Sequence, residues 1–593
     1  MDPDERRRLG AHYTTEHNIL KLLRPLALDA LRADFATAVT DPSGEALRAL
    51  QRRLAALHVL DPACGAGNFL VITYRELRLL ELDILLALRS LHLAVEPTSR
   101  LDLSQLHGIE IDATTARVAE AALRHTDDQL NLRLHAALGS PPPPHRPAPR
   151  IHVANALRID WAELLPAGQC SFILGNPPFV GKHYQSPQQR EDLAHTCPRG
   201  AGDLDYAAAW FFKAARYMQG TRAAAAFVTT NSVTQGEQVP ALWSPLLAQV
   251  HLHFAHRTFP WRSEARGAAH VHVVIIGFGP HDRDDRRIFE TSTDFTQVAN
   301  ISPYLTAGPN VVVEKSRRPP HAPPMRCGNK PADDGNFILA TDDEREQFLA
   351  REPGARRLVR RYLGSEELLH GTRRWCLWLA DATPGELALP AVQARVEAVR
   401  RFRLASSAAP TRKAAATPAR FFFRSQPDTT YLAVPEVSSG QRRYIPIAFL
   451  PADTIASNKL YIVPSADLLL FGLLASAMHM AWVRTLTGRL KSDFQYSASM
   501  LYNTFPWPHP ADTRRDEVEQ AARAVLAARP PDTPLADLYD PRQTPPALAA
   551  AHAALDRAVD RCYRPDGFTG ERPRFEHLLA LYGQAATAAR TGR

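Results

Sequence analysis

The sequence predicts an α/β protein in which a doubly wound parallel sheet is followed by a mixed α+β region and a helical C-terminal region. Three observations support this fold class. In residues 54–285, short apolar runs alternate with glycine turns and helical segments, the pattern of parallel strands joined by helices. Residues 286–508 mix strand-like runs with helices and many aromatic residues. Residues 509–593 are rich in alanine and predicted helical, with proline-rich breaks at 530–534 and 541–546.

The boundaries of the predicted domains follow these changes in residue composition and patterning. Residues 1–53 are predicted to be a helical segment of the first domain, because Ile19, Leu22, Leu23 and Leu26 recur on one helix face. Residues 54–285 form the core of that domain. A charged patch at 282–287 and a stretch rich in proline and arginine at 317–324 mark the boundary to a domain over 286–508. A helical region over 509–593 completes the chain.

Individual elements are predicted from apolar patterning. Strands are predicted at 58–60, 106–112, 151–154, 171–174, 224–229 and 270–278. Helices are predicted over 70–93 and 113–123, and the prolines at 141–144, 147 and 149 indicate a surface loop. In the second domain, 420–424 and 444–450 are strand-like. The apolar run 466–483 is predicted to be one buried helix, since Ser476 and His479 interrupt it.

The composition is that of a globular protein, with 45% apolar and 22% charged residues. Lys and Arg total 70 against 62 Asp and Glu, a net charge of +8 that is compatible with a polyanionic partner such as nucleic acid. The six cysteines show no paired spacing, which favours reduced thiols and no metal site. The first residues lack the apolar core of a secretory signal, so we expect a cytoplasmic protein without a membrane role.

A glycine-rich turn, Asp-Pro-Ala-Cys-Gly-Ala-Gly-Asn-Phe, follows the first predicted strand and spans residues 61–69. Gly65 and Gly67 let the backbone approach a ligand, here the methionine portion of S-adenosylmethionine (SAM). Asp61 orders the loop or meets the amino group of that portion. Glu110, at the end of the next strand, is placed to accept hydrogen bonds from two ribose hydroxyls. Cys64 is interpreted as a small packing residue rather than a nucleophile.

A second motif, Asn176-Pro177-Pro178-Phe179, follows the apolar run 171–175. The Asn176 side-chain oxygen and the Pro177 carbonyl can each accept a hydrogen from an exocyclic amine and aim its nitrogen at a methyl donor. The prolines hold the turn rigid, and Phe179 offers a flat face to an extruded base. A surface turn followed by a core aromatic is the alternative, which the ordered pair of motifs disfavours.

The segment Gly10-Ala11-His12-Tyr13-Thr14 precedes both motifs. His12, Tyr13 and Thr14 are candidates to fold over the carboxylate of the methionine portion. An ordinary helix N-terminus capped by Thr14 or Thr15 fits these residues equally well.

With these motifs in this order, the chain resembles gamma-class N6-adenine DNA methyltransferases, and among them the methylase and target-recognition part of MmeI-like (type IIL/IIG) restriction-modification enzymes. The resemblance also rests on runs that span nearly the whole chain: 108–112, 203–206, 227–232, 256–261, 328–331, 370–371, 489–493 and 502–507. It implies a Rossmann-like SAM-dependent methyltransferase domain, a target-recognition domain over 286–508 and site-specific methylation of adenine N6 in double-stranded DNA by base flipping.

The resemblance extends the predicted site. It places Ala63, Cys64, Asn68 and Phe69 of the glycine-rich turn beside the cofactor, together with Ile111 and Ala156. Asn155 stands where the family has an acidic residue that faces the cofactor adenine. Arg484, Arg489 and Lys491 are candidates for a phosphate track, with a solvated surface charge as the alternative for each.

Family members with restriction activity carry a nuclease domain ahead of the methylase, whereas only nine residues precede Gly10 here. We therefore expect methylation without DNA cleavage, protecting host DNA in a restriction-modification or phage-defence system whose nuclease is another subunit. Two alternatives remain at this point. Methylation of RNA or of a protein glutamine uses the same Asn-Pro-Pro-aromatic turn, and a catalytically idle DNA-recognition subunit would share the fold. Cytosine N4 is disfavoured as a target, because that chemistry more often has Ser at position 176.

Overall fold

The computed structural model describes residues 14–95, 98–139, 147–198, 200–261, 271–319, 321–490 and 493–591. The chain divides into two compact units, Met1–Val312 (the N-terminal unit) and Val313–Arg593 (the C-terminal unit).

The N-terminal unit is built on a nine-stranded sheet with the order β3-β2-β1-β4-β5-β7-β6-β8-β9. Its strands are β1 Val59–Asp61, β2 Leu106–Glu110, β3 Arg150–Val153, β4 Phe172–Gly175, β5 Ala224–Thr230, β6 His251–Trp261, β7 Val271–Gly279, β8 Arg287–Phe289 and β9 Phe295–Gln297. Strands β1 to β5 pair in parallel, and β7 pairs antiparallel to β5. The strand order reverses between β1 and β4, so the loops after these two strands leave the same edge side by side.

Helices cover the sheet of the N-terminal unit. They are α1 Glu16–Leu23, α2 Asp29–Ala38, α3 Glu45–Ala55, α4 Asn68–Ser90, α5 Ala113–Leu138, α6 Trp161–Leu164, α7 Pro187–Thr196, α8 Ala208–Tyr217 and α9 Gln238–Leu246. The central strand β5 is buried along six of its seven residues, as expected for a parallel strand covered on both faces. α1 docks on β6, where the carbonyl oxygen of Lys21 lies 2.8 Å from His256 Nε2.

The predicted strands of this unit are confirmed, but β6 was missed and α5 runs fifteen residues beyond its predicted end at 123. β6 contains two register shifts, one between Leu252 and Phe254 and one between His256 and Phe259, so its side chains do not alternate regularly. Burial lowers the pKa of His253 to about 4 and that of His256 to about 3, which keeps both of these side chains neutral. After the boundary expected at 285, β8 and β9 extend the same sheet.

The C-terminal unit holds two four-stranded sheets, β10-β18-β14-β16 and β11-β13-β12-β17, and a three-stranded one, β15-β20-β19. Its strands are β10 Arg326–Cys327, β11 Ile338–Leu339, β12 Val359–Leu363, β13 Trp375–Leu377, β14 Tyr431–Pro435, β15 Val437–Ser438, β16 Ala448–Leu450, β17 Ile455–Ala456, β18 Leu460–Pro464, β19 Arg489–Leu490 and β20 Asp493–Gln495. Its helices are α10 Asp342–Arg351, α11 Ser365–His370, α12 Pro384–Leu387, α13 Pro390–Leu404, α14 Ala409–Lys413, α15 Leu468–Leu474, α16 Ala477–Leu486, α17 Asp512–Ala527, α18 Leu535–Leu538, α19 Pro546–Tyr563 and α20 Glu571–Thr591.

Two expectations for this unit were wrong, and a third was confirmed only in part. The apolar run 466–483 is not one helix, because Ser476 accepts a hydrogen bond from His479 N and thereby starts α16 as a separate helix. In 420–424 only Phe423 pairs, as an isolated bridge to Lys330. In 444–450 the strand is limited to β16. Among the described residues no single helix is long and apolar enough to cross a bilayer, and α15 and α16 meet that criterion only as a pair bent by 50°.

Candidate active site

The loops after β1 and β4 are in direct contact. The Asp61 side chain, at the end of β1, is fully buried, and its Oδ1 accepts a hydrogen bond of 3.0 Å from Ala63 N. Gly175 ends β4, and a Cβ atom placed on it would lie 2.5 Å from Asp61 Oδ1. Any side chain at position 175 would therefore displace either the carboxylate or the start of the Asn176 turn. The two sequence motifs are one structural unit.

The two glycines of the glycine-rich turn have different roles. Gly65 has φ +53°, and a Cβ there would meet nothing within 4 Å, so open space suited to a ligand lies beside its backbone. Gly67 has φ +84°, and its Cβ would lie 3.0 Å from Ala119 Cβ on α5. Gly67 therefore serves close packing of the turn on a helix, whereas the sequence interpretation had given both glycines a cofactor contact.

Glu110 holds the glycine-rich turn in place. Its Oε2 accepts a hydrogen bond of 3.0 Å from Gly65 N, and its Oε1 accepts one of 2.9 Å from Asp112 N. Burial raises the pKa of Glu110. Each carboxylate oxygen keeps a further lone pair, so Glu110 can still accept hydrogens from hydroxyl groups. Ile111, the next residue, is 60% exposed and offers an apolar surface at the same edge.

Other predicted cofactor residues belong to the core. Phe69 and Ala156 are each about 5% exposed or less, and Asn68 begins α4. Cys64 is also buried, and burial raises the pKa of its thiol well above the usual range, which keeps it protonated and unreactive. The packing interpretation of Cys64 agrees with this environment.

Asn155 is committed to its own loop. Its Nδ2 donates to Asp192 Oδ2 at 3.0 Å, and its Oδ1 accepts from Leu157 N at 3.0 Å. Asp192 also accepts hydrogen bonds from Arg158 at 2.6 Å and from the Tyr206 hydroxyl at 2.7 Å. Because both polar atoms of the Asn155 side chain are engaged within the protein, the position is mainly structural. One amide hydrogen remains that could be donated to a ligand.

Asn176 has one satisfied and one unsatisfied side-chain atom. Its Nδ2 donates to Thr14 Oγ1 at 3.3 Å, which orients the amide. Its Oδ1 is buried and accepts no hydrogen bond from the described residues. Pro177 is buried and Pro178 half-buried, while the half-buried Phe179 ring packs partly against the core. Thr14 thus reaches the catalytic turn, whereas Gly10 to Tyr13, including His12 and Tyr13, lie outside the described residues.

Sequence reasoning missed the residue that fixes the far side of this turn. Asp205 Oδ1 accepts a hydrogen bond from Lys182 N at 3.2 Å, and its Oδ2 accepts one from Ser232 Oγ at 2.5 Å. Asp205 therefore ties the loop after β4 to the loop after β5. Trp210 on α8 adds a hydrogen bond of 3.0 Å from its Nε1 to the Pro62 carbonyl in the glycine-rich turn. The sequence analysis named 203–206 only as one of the runs shared with the family and gave Asp205 no role, because its partners Lys182 and Ser232 are distant in the chain.

Comparison with known proteins decides the family. The profile of the MmeI DNA-methyltransferase domain matches residues 36–290, that of the MmeI target recognition domain matches 307–509, and that of the MmeI C-terminal domain matches 510–589. The chain belongs to the MmeI family of DNA methyltransferases. It is 38% identical to DNA methyltransferase A of Bacillus subtilis (strain 168) over 591 residues, covering 98% of this chain and 67% of that protein.

The fold agrees with this family assignment. The structure of the type IIL restriction-modification enzyme MmeI in complex with DNA superimposes with a TM-score of 0.83 at 46% identity, covering 99% of this chain and 80% of that one. Both predicted motifs fall inside the segment matched by the MmeI methyltransferase domain, and Thr14 lies before it. The recognition domain expected after the catalytic core is present.

We predict that Gly175→Ala lowers methyl transfer by at least about tenfold, because displacement of a catalytic turn by a fraction of an ångström to 1 Å has effects of this size. Transfer from labelled cofactor to DNA is the measurement. Gly168→Ala is the matched control, since a Cβ at that position meets nothing within 4 Å. Equal activity of the two variants would show that the contact between Gly175 and Asp61 does not shape the site.

A second prediction concerns pH. Burial raises the pKa of Asp61 from 3.8 to about 8, with Glu110 acting in the same direction and the Ala63 N–H against it. When folding raises the pKa of a group, that group makes its full contribution to stability at pH values below its pKa in the unfolded chain. The contribution is lost as the pH rises toward and through its pKa in the folded chain. In the absence of cofactor, the free energy of unfolding of Asp61→Asn relative to that of the native chain should therefore rise between pH 5 and 8, by roughly 1 kcal/mol per pH unit.

Denaturant unfolding at several pH values measures this difference. Asp128→Asn, which alters an exposed carboxylate on α5, is the control for the removal of one acidic side chain. A stability difference for Asp61→Asn that does not change with pH would mean that Asp61 is ionised in the folded chain throughout this range.

Proposed function

We propose that this chain is a site-specific DNA methyltransferase that transfers a methyl group from SAM to the N6 atom of an adenine extruded from double-stranded DNA. The observation that carries the proposal is Asn176 Oδ1, which is buried, accepts no hydrogen bond from any described residue and lies on the loop that contacts the glycine-rich turn. A buried acceptor without a donor destabilises a fold by about 1–3 kcal/mol, so a ligand that brings an N–H group is favoured there.

The geometry of the turn suits an exocyclic amine. The hydrogen bond from Asn176 Nδ2 to Thr14 Oγ1 fixes the orientation of the side-chain amide. In this orientation Oδ1 is available to a hydrogen-bond donor of the ligand. Asn176 Oδ1 and the Pro177 carbonyl would each accept one N6 hydrogen, which draws the nitrogen lone pair out of conjugation with the ring. The exposed part of the Phe179 ring would stack on the base.

The described residues fit SAM. Gly65 borders open space, Glu110 retains lone pairs for the ribose hydroxyls, and Ile111 is exposed beside them. Asp61 Oδ2 is buried and has no hydrogen-bond partner among the described residues, and in its ionised form it would accept a hydrogen bond from the amino group of the methionine portion. SAM would supply an electrophilic methyl group. The chain's own residues position the amine, exclude water and hold the glycine-rich turn.

The C-terminal unit offers a surface for DNA. A cleft of about 1030 Å³ is lined by five arginines together with Trp375 and Trp378. Two of these arginines are neutralised, Arg357 by Glu386 at 2.5 Å and Arg360 by Asp381 at 3.4 Å. Among the described residues no hydrogen bond or ion pair engages the side chains of the other three, which are Arg326, Arg361 and Arg424. Free guanidinium groups suit phosphates and guanine edges.

Of the three residues first expected on a phosphate track, Arg484 alone has a described side chain, and that side chain is engaged within the C-terminal unit. Arg484 Nη2 donates to the carbonyls of Arg442 and Arg443 at 3.0 Å, and its Nε lies 3.4 Å from Glu571. Arg484 is thus held inside the unit. The Arg489 side chain and Lys491 lie outside the described residues.

The relatives support DNA as the substrate, since MmeI was solved in complex with DNA and the Bacillus subtilis relative is a DNA methyltransferase. We further propose that the methylation protects host DNA in a restriction-modification or phage-defence system, with a separate nuclease or other defence subunit as partner.

The central prediction is that Asn176→Ala abolishes transfer, by about 100-fold or more, while SAM binding stays within a few-fold, because only the amine acceptor is removed. Single-molecule sequencing of DNA from a host that expresses the chain should show N6-methyladenine at one fixed motif. Asn310→Ala, an exposed amide away from the site, is the control and should methylate normally.

Loss of SAM binding in Asn176→Ala would contradict the assigned role. Methylated cytosine in place of adenine would refute the choice of base.

DNA binding provides a further prediction. The double variant Arg361→Ala, Arg424→Ala should bind the recognition duplex more weakly and show a salt dependence of log K that is shallower by about 1–2, since each phosphate contact contributes about 0.9. Arg401→Ala, an exposed arginine of the same unit outside the cleft, should keep the full slope. Unchanged slopes for both variants would place the DNA elsewhere on the C-terminal unit.

A further inference from the structure

The N-terminal unit exposes one aromatic ring almost completely. Tyr184 is 87% exposed, the largest exposure among the large apolar side chains of the described residues. It ends the 3₁₀ turn Lys182–Tyr184, which begins three residues after Phe179. Seven residues separate it from Asn176, so it lies on the same loop as the Asn-Pro-Pro-Phe turn.

The backbone that carries Tyr184 is firmly held. On one side, Lys182 N donates to Asp205 Oδ1 at 3.2 Å, and Lys182 Nζ lies 2.7 Å from Asp203 Oδ1. On the other side, Gln185 is 5% exposed and donates from Nε2 to the Leu204 carbonyl at 2.9 Å. Tyr184 N itself donates to the Gly181 carbonyl at 2.8 Å. The turn is thus fixed at both ends while the ring points into solvent.

A ring in this situation contributes little to the fold. Burying a tyrosine side chain is a main source of stability, and this one remains in water. A fixed backbone that presents an exposed aromatic ring beside a catalytic loop instead matches a preformed contact to a flat ligand, because little conformational entropy is lost on binding. In a DNA methyltransferase the flat ligands next to the catalytic loop are the stacked bases.

We propose that the Tyr184 ring enters the duplex and stacks in the space that the target adenine leaves when it is extruded. This inference rests on the proposed function. Extrusion breaks two stacking contacts and a base pair, at a cost of a few kcal/mol. An aromatic side chain stacked on the neighbouring bases regains about 1–3 kcal/mol and prevents the adenine from returning. Tyr184 therefore favours the extruded state, and Asn176 binds the amine only in that state.

The test compares the full-length native chain with Tyr184→Ala and Tyr184→Phe on two DNA substrates. One is an intact duplex with the motif found by sequencing. The other has an abasic site opposite the target adenine, which makes extrusion easy. Phe295→Ala, a 49% exposed aromatic on β9, is the control for loss of a surface ring. A parallel measurement follows the fluorescence of 2-aminopurine at the target position, which reports extrusion without requiring transfer.

We expect Tyr184→Ala to lower kcat/KM on the intact duplex by about tenfold or more, as loss of roughly 1.4 kcal/mol of stacking implies. The loss on the abasic duplex should be at most a few-fold, and the 2-aminopurine signal of the intact duplex should fall. Tyr184→Phe should keep both activities because it keeps the ring. Phe295→Ala should behave as the native chain.

Three results would overturn the inference: no loss in Tyr184→Ala, equal losses on both duplexes, or loss in Tyr184→Phe equal to that in Tyr184→Ala. Equal losses would indicate a contact with the extruded adenine or with phosphate instead. If the native chain methylates no adenine in either duplex, the proposed function fails and this inference fails with it. If the native chain methylates adenine and Tyr184→Ala is equally active, the inference about Tyr184 is refuted while the proposed function stands.

Discussion

The site depends on the close contact between Asp61 and Gly175. β1 and β4 are neighbours where the strand order reverses, so their loops emerge together, and only the absence of a side chain at position 175 lets the Asp61 carboxylate lie against the second loop. That contact sets where the Asn176 turn begins. Glu110 then holds the glycine-rich turn from the neighbouring strand, and Asp205 holds the far side of the catalytic loop.

The polar groups of the site fall into two sets. Asn155 and Asp192 have partners for their side-chain atoms and serve to position loops. Among the described residues, nothing donates a hydrogen bond to the buried oxygens Asp61 Oδ2 and Asn176 Oδ1, on the two loops that meet. A buried oxygen without a donor reduces stability, so each such atom requires an explanation. The proposed function explains these two by the ligands that would provide the donors.

Arginines in the C-terminal unit show the same distinction. Arg403 is fully buried, and its guanidinium group donates to backbone carbonyls of Pro331, Ala332, Ala414, Thr417 and Arg420. It connects α13 to the segments around it and is unavailable to DNA. Arg361 and Arg424, in the cleft, have no hydrogen-bond or ion-pair partner among the described residues. In sequence these arginines are alike, and only their environments distinguish the one that holds the fold from the two proposed to contact DNA.

By itself, the sequence determined the fold class, most strands of the parallel sheet and the family, and it located the two motifs proposed to form the site, because these depend on local patterns: apolar runs, glycine turns and the Asn-Pro-Pro-Phe turn. Only the tertiary structure decided that Gly67 packs on α5, that Asn155 is held by Asp192, that Asp205 braces the catalytic loop and that β6 belongs to the sheet. The physical reason is that these contacts join residues far apart in the chain, and β6 lacks the regular alternation that marks a strand.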